Sequence, residues 1–212
     1  MSRRLACAVI ALIFAGASGS ALLAIRSKPQ ASDTAKKSSE TVAIEALNSG
    51  LKRLEKADQI ASKNPKQARK EYEAALKDFQ AAAAAAPENY RAHNGAGYAL
   101  RKLGNYERAL ASYERALVLA PASSEAIEYR AEAYLGLNRL DAARQSYMHL
   151  FVHDRSASHV LMNAMKSWVS AHRAQPDGVD ASTIDAFDAW VRERDALAMS
   201  VGNLGHNSPD WK

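Results

Sequence analysis

The chain has 212 residues, room for one folded domain of ordinary size beside a terminal targeting segment. Apolar residues make up 48% and aromatics only 7%, so the core must come from close helix contacts with few large anchors. The net charge is +5, but Arg3, Arg4 and Arg26 supply three of those charges. Residues 28–212 then hold 25 basic against 23 acidic groups, which argues against charge-driven binding of nucleic acid, while the lone Cys7 excludes a disulfide or thiol nucleophile beyond the leader.

Arg3 and Arg4 precede the uncharged run Leu5 to Ile25, which Arg26 and Lys28 close, so residues 1–26 are expected to be a signal peptide or a transmembrane anchor. The anchor is preferred. Cleavage at Ala15-Gly16-Ala17 or Ser18-Gly19-Ser20 would leave the apolar stretch from Ala21 to Ile25 near a free N-terminus. Residues 27–41 lack apolar periodicity and are rich in Ser, Lys and Ala, the composition of a flexible tether.

Ile44, Leu47, Leu51 and Leu54 recur at spacings of three and four, which predicts a helix from about Thr41 to Ser62 packed on the helix that holds Tyr72 and Phe79. Gly50 weakens it. Asn64-Pro65 stops that helix, and Lys66 to Ala86 reads as the next. From here a period of 34 residues governs the chain: Ala75, Ala109 and Ala143; Phe79, Tyr113 and Tyr147; Ala82, Ala116 and Leu150. Pro87 and Pro121 keep the same register, and Arg155 stands where a third proline would fall. Leu103-Gly104-Asn105 is a turn inside a helical hairpin, with Gly104 suited to a left-handed helix end. Downstream, Val160, Leu161, Ala164, Trp168 and Ala171 define one amphipathic helix, ended by Gln175-Pro176-Asp177-Gly178. Ile184, Phe187, Trp190, Val191, Leu197 and Ala198 define the last, with Ser182 or Thr183 as its cap. Residues 202–212 carry no pattern and are expected to form a disordered tail.

The 34-residue pattern resembles the tetratricopeptide repeat. Tyr90 to Ser123 carries the clearest copy, with Ala96-Gly97 for Leu-Gly, Leu100 for Tyr, Ala109 for Ala, Tyr113 for Phe and Pro121 for Pro; His93 replaces the Trp. Ser124 to Ser156 is a second copy, from which Arg130 and Arg155 depart. The resemblance implies an all-α fold of helical hairpins stacked in a right-handed solenoid. Repeats then span residues 42–156, as a partial unit over 42–89 and clear units over 90–123 and 124–156, and residues 157–201 form a capping hairpin.

In such a fold the first helix of each hairpin lines the concave side. Arg91, Asn94, Tyr98, Arg101 and Lys102 are therefore expected to face a partner groove from one unit, and Glu125, Glu128 and Glu132 from the next. These rows either bind a protein or peptide segment or pair with each other as a solvated face. No catalytic constellation and no phosphate-cradling glycine loop is present in the sequence, so no enzymatic activity and no cofactor are expected. His149 and His153, four apart with His159 nearby, have zinc-ligand spacing but no further ligand besides Asp154, so metal binding is not expected. The leading expectation is a scaffold or adaptor held at the cell envelope by its N-terminus, with the repeats periplasmic or otherwise extracytoplasmic. The alternatives are an assembly factor presenting client proteins, of the cytochrome c maturation or pilus biogenesis type, and a structural homo-oligomer joined through the Ile44 to Leu54 stripe.

Overall fold

The computed structural model describes residues 31–206, with side chains from 38 to 200. The expected signal or anchor over residues 1–26 lies outside the described residues, as do positions 27–30 of the tether. Among the described residues no helix is long and apolar enough to cross a membrane.

The described residues form eight helices and no strand: α1 (Ala31–Ile60), α2 (Pro65–Ala85), α3 (Tyr90–Lys102), α4 (Tyr106–Leu119), α5 (Ser124–Gly136), α6 (Leu140–His153), α7 (Arg155–Ala174) and α8 (Ala181–His206). Each packs on its neighbour in sequence, and α1 with α3, α3 with α5, and α5 with α7 also touch. The first helices of successive hairpins therefore share one side. This is the tetratricopeptide-type helical solenoid that the period implies.

The turns follow from local chemistry. Asn64 accepts a hydrogen bond from the Gln67 amide at 3.1 Å and so caps α2, and Pro65 occupies the first turn, where its missing N–H costs nothing. Asn64-Pro65 thus starts α2, and the first helix of this hairpin is α1, which ends before it at Ile60. Gly104 has φ +81°, the left-handed conformation expected of it. Asn138 holds the equivalent position one unit later at φ 56°, and its side chain accepts a hydrogen bond from the Trp168 indole at 3.1 Å.

Several expectations need correction. Within the stretch 27–41 expected as a flexible tether, α1 begins at Ala31; nothing from Ala31 to Asn48 breaks a helix, and the Ser39 hydroxyl donates to the Ala85 carbonyl at 2.7 Å, tying this stretch to α2. The apolar stripe of α1 is rotated: Ile44 and Leu51 are 51% and 46% exposed, whereas Ala43, Leu47, Gly50 and Ala57 are buried. Small residues give little hydropathy signal, yet they are what lets α1 approach α2. Gly50 also has a packing role, since it admits Phe79, whose ring lies 2.8 Å from where a Cβ would stand. Of the aromatic residues in the repeats, Tyr134 is half-buried, while Tyr72, Phe79, Tyr113 and Tyr147 are buried. The cap of α8 is Asp180, which accepts from the Thr183 amide at 2.8 Å and from the hydroxyls of Ser182 and Thr183. Finally, α8 continues to His206, so positions 202–206 of the expected tail are helical.

Candidate interaction groove

Helices α1, α3 and α5 enclose a hollow of about 360 Å³ on the shared side. Leu51 and Leu54 reach it from α1, Tyr90, Asn94 and Tyr98 from α3, and Tyr129 from α5, with Asp58, Arg91 and Glu125 around them. Tyr98 and Tyr129 meet edge to face with centroids 5.0 Å apart, which makes a broad, rigid aromatic wall. A second hollow of about 770 Å³ opens between α3, α5 and α7, lined among others by Lys102, Glu132, Trp168 and His172. The Trp168 and His172 rings stack at 3.9 Å.

Of the eight residues placed in the groove from sequence, the structure brings Arg91, Asn94, Tyr98 and Glu125 to the first hollow and Arg101, Lys102 and Glu132 to the second. Most of the charges are already engaged. Arg101 forms an ion pair with Glu132 while its guanidinium stacks over Tyr98 at 4.9 Å and Tyr129 at 5.2 Å. Lys102 pairs with Asp58 at 3.4 Å, and Asp58 also accepts hydrogen bonds from the Tyr72 and Tyr98 hydroxyls. Burial and the Asp58 carboxylate push the Tyr98 hydroxyl far above its usual range, so it stays a neutral donor.

Glu128 lines neither hollow. It is 8% exposed, and burial first, then the neighbouring Glu132 carboxylate, raises its pKa from 4.5 to about 7, with Arg101 opposing. A carboxyl that holds its proton more tightly when folded lowers stability as the pH climbs from its unfolded to its folded pKa. Glu128→Gln should therefore match the natural protein near pH 4.5 and exceed it by on the order of 1–3 kcal/mol at pH 8 in urea unfolding. Parallel profiles for the two proteins would place Glu128 in solvent.

Asn94 offers an acceptor that the fold leaves unused. Its side chain is 5% exposed, it lines the first hollow, and its amide oxygen has no hydrogen-bond partner. Leaving a buried polar group unsatisfied costs about 1–3 kcal/mol, so the position asks for a donor from outside the fold. Sequence reasoning missed Leu51, Leu54, Asp58, Tyr90 and Tyr129. Leu51 was visible as part of an apolar stripe but was assigned to the core; Asp58 carried no local signal.

The tetratricopeptide repeat family model matches residues 64–124 and 96–148. Residues 64–148 carry tetratricopeptide repeats. Such repeats are protein-interaction scaffolds, stacked to present an extended surface. Among solved structures, the chain is similar to the first tetratricopeptide domain of Spaghetti (RPAP3) bound to the HSP90 peptide SRMEEVD, with 18% identity, TM-score 0.43, and coverage of 57% of this chain and 93% of that one. It is also similar to the tetratricopeptide domain of OM64 from Arabidopsis, with 16% identity, TM-score 0.44, and coverage of 59% and 98%. No curated protein matches.

Proposed function

We propose that this chain is a non-enzymatic adaptor that holds an extended protein segment along α1, α3 and α5. The observation that carries the proposal is the unpartnered Asn94 amide oxygen beside Leu51, Leu54, Tyr98 and Tyr129. An apolar or aromatic side chain of the partner fits the wall, and the partner's backbone N–H supplies the donor that Asn94 lacks. With Arg101, Lys102 and Glu132 paired internally, the charged contacts left to a partner are Arg91 and Glu125, which steer association at low salt more than they add affinity.

The test is position-specific crosslinking in intact cells that make the full chain. A photoreactive residue replacing Leu51 should give a discrete adduct with a partner, and one replacing Val118, which is exposed on α4, should not. Tyr98→Ala should lower the yield at position 51 by about tenfold or more, the effect of losing an aromatic anchor, with helix content unchanged. Equal adducts from both positions, or no effect of Tyr98→Ala, would overturn the groove assignment.

We further propose that the leader holds the repeats at the cell envelope, on the extracytoplasmic side. The support is the uncharged run Leu5 to Ile25 between Arg3-Arg4 and Arg26. The full-length protein should then stay with membranes through a carbonate wash. Self-association is a second reading with one observation in its favour, since Val42 and Ile44 on α1 are 52% and 51% exposed. Mass that rises with concentration and falls in Ile44→Glu would support it over the adaptor.

A further inference from the structure

A third hollow, of about 350 Å³, lies between α4, α5 and α6 and shares no lining residue with the two on the groove side. Leu117, Pro121, Ile127 and Tyr134 form its apolar wall, and Arg130, Gln145 and His149 supply polar groups. It lies at a departure from the repeat. Arg130 stands 34 residues after Ala96, which is 7% exposed and packs in the core cluster around Phe79. Where the earlier unit packs a methyl group, this one places an arginine that is itself half-buried.

Arg130 is unusual in its partners. The other half-buried arginines, Arg53, Arg101, Arg144 and Arg194, each carry an ion pair with a carboxylate. Arg130 has none among the described residues. Its Nε is buried without a hydrogen-bond partner, as are those of Arg101, Arg144 and Arg194, but theirs belong to guanidinium groups that a carboxylate neutralises, whereas that of Arg130 lies over the Tyr134 ring, 5.7 Å from the centroid. No acidic side chain lines the hollow. A half-buried cation without a counter-ion is costly, and what relieves it is an anion whose remainder is apolar enough to cover the wall.

We propose that this hollow is a second binding site, which takes a small carboxylate carried on an apolar body. Arg130 receives the carboxylate through its planar fork of N–H donors, while Leu117, Pro121, Ile127 and Tyr134 receive the hydrocarbon. Ser146 contributes shape more than bonding, because its hydroxyl already donates to the Ala142 carbonyl at 2.9 Å. The site stands or falls independently of the groove.

The probe is octanoate, titrated into the full chain at pH 7 and low salt and followed by calorimetry and amide NMR, with octan-1-ol and octylammonium as partners of equal length and different charge. Octanoate should bind saturably and shift amides around Ile127, Arg130 and Tyr134, and the alcohol and the ammonium should bind at least about tenfold more weakly, as a charge-assisted bidentate contact requires. Arg130→Met keeps an apolar stem and should fold at least as well, yet lose about tenfold or more of octanoate affinity with no change for octanol. Ala142→Leu leaves Arg130 in place and fills the hollow, so it should weaken octanoate as well. No saturable octanoate binding up to about 10 mM, equal binding of octanol, or full affinity in Arg130→Met would each overturn the proposal.

Discussion

Phe79→Ala is expected to cost about 3–5 kcal/mol, at the upper end for loss of a buried aromatic, read as a lower urea midpoint with unchanged slope. The size of the effect follows from what surrounds the ring. Phe79 is fully buried, with Gly50 of α1 on one side and Gly95 of α3 on the other, so close that a Cβ on either would stand 2.8 Å or 2.5 Å from it. The rest of its cluster is mostly alanine, at positions 75, 82, 92 and 96. Alanines cannot swing into a void, and only Leu47, Leu54 and Leu76 are left to fill it in part, so much of the cavity persists, and residual cavity volume is what separates a costly truncation from a tolerated one. The same geometry predicts a change of sign. In the natural background Gly95→Ala should overpack and destabilise by about 1–3 kcal/mol, whereas in the Phe79→Ala background the new methyl group should recover part of the loss. Additive effects of the two substitutions would show that α1, α2 and α3 adjust their spacing freely.

The repeat was legible because its signal is local and redundant. Ala75, Ala109 and Ala143 are fully buried, and so are the rings of Phe79, Tyr113 and Tyr147, so the 34-residue period tracks real packing. Proline in the linkers after α2 and α4, and glycine between α3 and α4, mark element ends through backbone sterics alone. The face of α1 was not legible, since its closest approach uses Ala43, Gly50 and Ala57, which hydropathy barely distinguishes from surface residues. Asp180 was overlooked as a cap in favour of Ser182 and Thr183, although all three types cap well and only geometry chooses between them. In the groove, residue identities were readable but pairings were not. Asp58 holds Tyr98 across 40 positions and Arg101 meets Glu132 across 31, contacts that exist only once hairpins stack.

That pairing sets the second large effect. Arg101→Met should cost about 3–5 kcal/mol at pH 8, the range for breaking a buried ion pair by removing one partner. The Arg101 side chain is 10% exposed and Glu132 22%, so solvent screens the pair poorly, and Glu128 sits beside Glu132 as a second carboxylate that Arg101 alone is seen to offset. Without the guanidinium, two acidic groups face each other next to the apolar rings of Tyr98 and Tyr129 that it also covers. Three comparisons separate charge from packing. Glu132→Gln added to Arg101→Met should restore most of the loss, because the exposed fault is an uncompensated charge rather than a cavity. Arg101→Lys should restore less, since an ammonium cannot both pair with Glu132 and lie flat over two rings. The cost of Arg101→Met should also shrink as the pH falls toward 4.5. Arg101 opposes the upward shift of Glu128, so in its absence Glu128 keeps its proton to higher pH and, once neutral, no longer repels Glu132. A loss below about 0.5 kcal/mol at pH 8, insensitive to pH, would mark an ordinary surface pair and return Arg101 to the side chains free to bind a partner.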